Sequence, residues 1–210
     1  MKKIFLLTLL LGLYANVFSQ TYDVNYTIEY ALKKADGTEI NRLKLFRNGD
    51  KLRFQKFSNQ GKADSSTTDI YINKNDPKIY MITSNSAGKF GTKSDYDYMY
   101  AGMATGIYIL DFDKMDANGR SMLRSQIFTP ASQSGTGTIL GKECTKYTLI
   151  TQSYGSETAS SDYYFFQDNL MLLRHVGTQN DGNNIEALSY DSGIVPESMF
   201  TIPVDVLYMN

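Results

Sequence analysis

Tyr22, Val24, Tyr26, Ile28, Tyr30 and Leu32 alternate with Asp23, Asn25, Thr27, Glu29 and Ala31. A period of two sustained this long predicts a strand with one buried face and one wet face. Lys34-Ala35-Asp36-Gly37-Thr38 supplies Asp-Gly turn chemistry, and the chain returns through Ile40, Leu43 and Leu45. Asn48-Gly49-Asp50 makes the next turn into Lys51 to Phe57, with Leu52 and Phe54 facing inward. Tight turns between three such runs predict an antiparallel meander. A looser stretch, Ser58 to Ser66, leads to a fourth strand at Asp69 to Asn73. Asn75-Asp76-Pro77 then turns into a fifth, Lys78 to Thr83. Ile79, Tyr80, Met81 and Ile82 make that strand apolar on both faces, so something must cover it. Ser84 to Ser94 is polar and reads as loop.

The pattern then changes. Tyr96, Met99, Tyr100, Met103, Ile107 and Leu110 follow helical spacing, interrupted by Gly102 and Gly106. A second helical patch runs from Arg120 to Phe128 and is ended by Thr129-Pro130. Strands resume at Gly137 to Gly141, Lys146 to Gln152, Asp162 to Gln167, Leu170 to Val176 and Ile185 to Tyr190. The tail from Val195 to Pro203 reads as irregular chain packed by Met199, Phe200 and Ile202. The expected fold is mainly β within the α+β class. It is an unclosed, strongly curved antiparallel β-barrel of about ten strands wrapped over a central helical insertion.

The start of the chain bears on location. Lys2 and Lys3 precede the apolar run Ile4 to Leu13, followed by Val17-Phe18-Ser19-Gln20. This is the layout of a cleavable signal peptide, and the run is too short to span a bilayer. Residues 1–19 are thus expected to be removed, leaving 20–210 as a single domain, periplasmic or secreted. No cysteine stands near the cleavage point, so a lipoprotein is not expected. Without residues 1–19 the formal charge moves from −1 to −3, with 19 basic and 22 acidic side chains. Such a chain has no electrostatic reason to bind nucleic acid or an anionic membrane surface. Cys144 is the only cysteine, so the fold relies on its core with no internal disulfide.

Catalytic chemistry finds little support. His175 is the only histidine and lies in an apolar strand, which favours a structural role. A Cys144–His175 pair lacks a third group to orient the imidazole. One histidine and one cysteine do not make a zinc site. The run Asp111, Asp113, Asp116, Asn118, Gly119 has oxygen ligands, but Met115 takes the fifth position of a calcium loop and no glutamate closes it. No cofactor is expected. Paired carboxylates for glycoside hydrolysis remain an open alternative on sequence grounds. The candidate ligand-binding residues are Tyr96, Met99, Tyr100, Met103 and Ile107. They form a pliable apolar stripe that would either pack as core or line a cavity for acyl chains.

Thr138-Ile139-Leu140-Gly141-Lys142-Glu143-Cys144-Thr145-Lys146-Tyr147 resembles the glycine, cysteine, tyrosine strand pair of uncharacterised exported bacterial proteins. These are related to the outer-membrane lipoprotein-sorting and lipoprotein-carrier (LolA-like) superfamily. The ending Phe200-Thr201-Ile202-Pro203 is similar too. The resemblance implies an unclosed barrel with an apolar interior that holds lipid acyl chains. The resemblance does not place the carriers' acyl-retaining arginine on any residue of this chain. The expected function is non-catalytic binding of a lipid or lipoprotein acyl chain in the concave face. The alternative is a cell-envelope interaction module that holds a protein or glycan by its strand edges and surface tyrosines, in transient membrane or envelope-protein contact.

Overall fold

The structure, a computed structural model, describes residues 24–73, 75–95, 129, 131–152, 158–166, 171–177 and 184–209. The first six strands form one meander: β1 (Asn25–Lys33), β2 (Glu39–Asn48), β3 (Lys51–Ser58), β4 (Ser66–Asn73), β5 (Lys78–Asn85) and β6 (Gly88–Asp95). A second meander follows, with β7 (Gln133–Ile139), β8 (Lys142–Gln152), β9 (Thr158–Phe166), β10 (Met171–Gly177) and β11 (Asn184–Asp191). A short 3-10 turn, Glu197–Phe200, leads to β12 (Leu207–Tyr208). All belong to one sheet, in the order β12-β6-β5-β4-β3-β2-β1-β11-β10-β9-β8-β7. The two meanders join where β1 pairs antiparallel with β11. The sheet is open, ending at β12 on one side and β7 on the other.

The alternation in β1 sets the register of the front half. Tyr26, Ile28, Tyr30 and Leu32 are buried on what we call the inner face. Ile28 stands opposite Leu45, Leu45 opposite Phe54, Phe54 opposite Ile70, and Ile70 opposite Met81. One apolar row therefore crosses five strands. A slip of one residue would turn every member to the wrong face, so this row fixes the register. Ile28, Tyr30 and Leu45 are fully buried, and each such side chain contributes roughly 1.5–3 kcal/mol. Cys144, Met171, Leu173 and Ala187 continue the core into the second meander. Tyr30 ties the two halves by donating its hydroxyl to the carbonyl of Leu172 at 2.9 Å.

Two expectations are corrected. The fold class changes from about ten strands over a central helical insertion to twelve strands in one sheet, with no α-helix among the described residues. Both helical patches fall within residues 96–128, which lie outside the described residues. Gly102 and Gly106 each cost a helix about 1 kcal/mol relative to alanine, so spacing alone was a weak warrant for that layer. Ser84 to Ser94, read as loop, is instead the β5–β6 hairpin. Its Gly, Lys, Thr and Ser side chains show no apolar alternation because β6 lies next to the sheet edge and has little core to cover.

Candidate functional site

The sequence-predicted ligand residues Tyr96, Met99, Tyr100, Met103 and Ile107 lie outside the described residues, as does the acidic run from Asp111 to Gly119. The other candidates are placed. Cys144 is a buried free thiol that donates to the Lys142 carbonyl at 3.6 Å, and burial pushes its pKa up. A buried, protonated thiol is a poor nucleophile. His175 stands opposite Tyr163 and Ile185 and stacks on the Tyr163 ring at 4.5 Å. Thr145, next to Cys144, stands opposite Phe165, two residues away from Tyr163 along β9. The two candidates thus sit in separate packing environments. Among the described residues no cluster of three or more His, Cys, Asp or Glu side chains is arranged to hold a metal.

The outer face of the front half carries a ladder that sequence reading did not find. Phe46, Arg53, Tyr71, Tyr80 and Lys93 stand opposite one another across β2 to β6. The Arg53 guanidinium lies 5.7 Å from the Phe46 ring centroid and 5.2 Å from that of Tyr71. Its Nε donates to Asp69 Oδ1 at 2.8 Å, and both side chains are largely buried. Gln55 donates to the same carboxylate oxygen at 3.0 Å. No periodicity announces this pairing, because Arg53 and Asp69 look like ordinary outward-facing positions in their strands.

The C-terminal tail crosses this outer face as a strap. Val195 is buried, and its carbonyl accepts from Asn48 Nδ2 at 3.0 Å. Glu197 pairs with Lys51, and Arg53 Nη1 donates to the Met199 carbonyl at 3.1 Å. Asp205 pairs with Lys89 at 2.7 Å, and Lys93 sits 3.9 Å from the Tyr208 ring centroid. The strap ends as β12, parallel to β6, with the Met209 N–H donating to the Gly91 carbonyl at 2.9 Å. Gly91 is required there, since a Cβ would stand 2.7 Å from Val206 Cγ1. The tail thus supplies the cover that the two-faced apolar strand Lys78 to Thr83 demanded. It also closes the β6 edge.

The opposite edge differs. β7 reads Gln133-Ser134-Gly135-Thr136-Gly137-Thr138-Ile139, with neither charge nor proline, and five of its seven residues are exposed. Among the described residues it pairs only with β8. In an antiparallel strand alternate backbone groups point away from the single partner, so β7 presents donors and acceptors outward. Natural edges are blunted by charge, proline or bulges. The register shift between Gln133 and Gly135 is the sole such device here, leaving Gly135 to Ile139 regular. Gly137 lets the Tyr164 ring lie over β7, since a Cβ at 137 would meet Tyr164 Cε1 at 2.7 Å. Lys146 and Arg174 flank that ring at 5.9 and 5.7 Å. Sequence reading placed this strand at Gly137 to Gly141. The Leu140-Gly141 pair is instead the turn into β8, and the motif from Thr138 to Tyr147 does form a strand pair.

No protein family matches the chain by sequence, and no curated protein does. Solved structures similar in outline include PNGF-II and MucB. PNGF-II aligns at 15% identity and a TM-score of 0.43, over 89% of this chain and 31% of its own length. MucB, crystallised in complex with MucA(peri), aligns at 9% identity and a TM-score of 0.46, over 87% of this chain and 56% of its own length. The chain thus spans about a third and just over half of these proteins. Likeness at this level carries no argument about what this chain binds. The resemblance to the lipoprotein-carrier superfamily rests on the sequence motif.

Proposed function

We propose that the protein is a non-catalytic interaction module of the cell envelope that binds an extended segment of a protein partner by strand addition at β7. The observation that supports this reading is the contrast between the two sheet edges. Among the described residues the tail covers β6, and β7 is left exposed and uncharged. A segment about as long as β7 would gain main-chain hydrogen bonds worth roughly 0.5–1.5 kcal/mol each. Ordering its backbone costs about as much per residue, so side-chain contacts must supply the margin. The Tyr164 ring over Gly137 offers an aromatic surface beside the edge. Binding is therefore expected to be weak and reversible, and to favour uncharged, β-branched or aromatic segments.

The test is selection of short extended peptides from a random library on the full chain, repeated with the Thr136→Lys/Thr138→Lys variant. Both threonines are exposed, and lysines on an edge strand are the guard that natural sheets use. The reading expects β-prone peptides that bind the parent and lose affinity for the variant, with unchanged far-UV circular dichroism. Peptides that bind both proteins equally, or a selection that yields none, would overturn it. A second reading is favoured by Ile70 and Met81, the half-buried end of the apolar row that begins at the buried Ile28, on an unclosed sheet that has no second layer among the described residues. There, an acyl chain would rest on the inner face, with Tyr96, Met99, Tyr100, Met103 and Ile107 as its lining. Native mass spectrometry with solvent extraction separates the two readings, because only this one expects a stoichiometric lipid.

A further inference from the structure

We infer that the cleft between the tail and the β3–β4–β5 end of the sheet is a binding site for a single neutral sugar unit. The cleft encloses about 190 Å³ between two separate segments of chain, the sheet end and the 3-10 turn of the tail. Its charged lining balances in number, with Lys51 and Lys78 against Asp76 and Glu197. These groups already have partners: Lys51 pairs with Glu197, Lys78 pairs with Asp95, and Asp76 Oδ1 accepts from the Lys78 N–H at 2.9 Å. Because Lys78 is spent on Asp95 and Asp76 takes its bond from a backbone N–H, the lining keeps a slight negative balance that is unsuited to an anion. The remaining surface is aromatic and hydroxylic. Half-buried Tyr80 and Phe200 supply the aromatic surface and exposed Thr201 a hydroxyl, while Tyr71 is buried beneath the Arg53 guanidinium. Burial raises the pKa of both tyrosines, so their hydroxyls stay protonated donors through the physiological range. Aromatic faces pack against the C–H faces of a pyranose, and paired polar side chains at the rim suit its hydroxyls. The volume admits one ring and not a chain. This site is separate from β7 and stands or falls independently of strand addition.

The test is saturation-transfer NMR on the full protein with glucose, galactose, mannose and N-acetylglucosamine, and with glucuronate as the charged control. At least one neutral sugar is expected to show transfer at millimolar concentrations, and glucuronate none. Tyr80→Ala removes one aromatic wall and should weaken the signal about tenfold. Thr201→Val, on the exposed tail, keeps the shape and removes one hydroxyl, so it keeps the test informative if Tyr80→Ala fails to fold. Absence of transfer from every neutral sugar would overturn the assignment and leave the cleft as a packing gap. Equal transfer from glucuronate, or transfer unchanged in the variants, would overturn it as well.

Discussion

Arg53 is where the tail, the outer face and the buried charge meet, and its removal has a calculable consequence. The Arg53→Met change leaves the Asp69 carboxylate, whose side chain is 9% exposed, with Gln55 as its described partner. Breaking a buried pair from one side costs about 3–5 kcal/mol, because the remaining charge is stranded. That figure includes the lost charge-assisted bond to the Met199 carbonyl, of order 1.5–3 kcal/mol. Methionine can still pack between Phe46 and Tyr71, so the apolar part of the stack is largely kept. For a domain with about 5–15 kcal/mol of total stability, the single change is severe. The double variant Arg53→Met/Asp69→Leu removes both charges and should return to within about 3 kcal/mol of the parent, the remainder being the lost bond to the Met199 carbonyl. Urea denaturation of the parent, both singles and the double gives the coupling directly. If the double variant loses the sum of the two singles, the buried pair is not what holds this face, and the reasoning fails.

Three further outcomes are expected. Gly91→Val drives a side chain into Val206 and Tyr208, so the strap should lift. Limited proteolysis should then cut the segment 203–208 faster than in the parent, at a stability cost of about 1–3 kcal/mol; unchanged protection would refute the close approach. Leu140 holds φ +52° ahead of Gly141 at +72°, so Leu140→Asn should raise stability by roughly 0.5–1 kcal/mol in thermal unfolding, and a loss would refute the strain. The hydrogen bond from Lys33 lowers the Glu186 pKa. At Asp162 burial acts to raise the pKa, but the bonds from Thr148 and Lys146 outweigh it and the net shift is downward. Both contributions are complete above the unfolded carboxylate range near ~4 and disappear as pH falls through the lowered folded values. Stability should therefore stay level from about pH 7 to 5 and decline below about 4. A Lys33→Met/Lys146→Met variant should flatten that decline, and increasing stability on acidification would contradict the assignment.

What could be read from the chain followed the core. β1 to β5 and β8 to β11 announced themselves through buried apolar side chains, by alternation in β1, as at Tyr26, Ile28 and Tyr30, and by short apolar runs in β5 and β10. β6 and β12 were missed because edge strands are held by backbone ladders, which leave no mark on residue type. The tail was expected to be irregular and packed by Met199, Phe200 and Ile202. Its buried anchor is Val195, while the adjacent Ile194 is exposed, a choice that residue type does not mark. The Arg53–Asp69 pair needs β3 and β4 to be in register before it exists, so only tertiary structure reveals it. Strand edges were foreseen as a mode of binding. Which edge stays open depends on where the tail goes, and no local pattern encodes that.

Amide hydrogen exchange of the free protein, resolved residue by residue along β7, tests the central claim most directly. An open edge predicts alternation from Gly135 to Ile139, with amides that face β8 exchanging slowly and those that face outward exchanging fast. Uniform protection along that run would mean the edge is already covered, and strand addition at β7 would have to be abandoned.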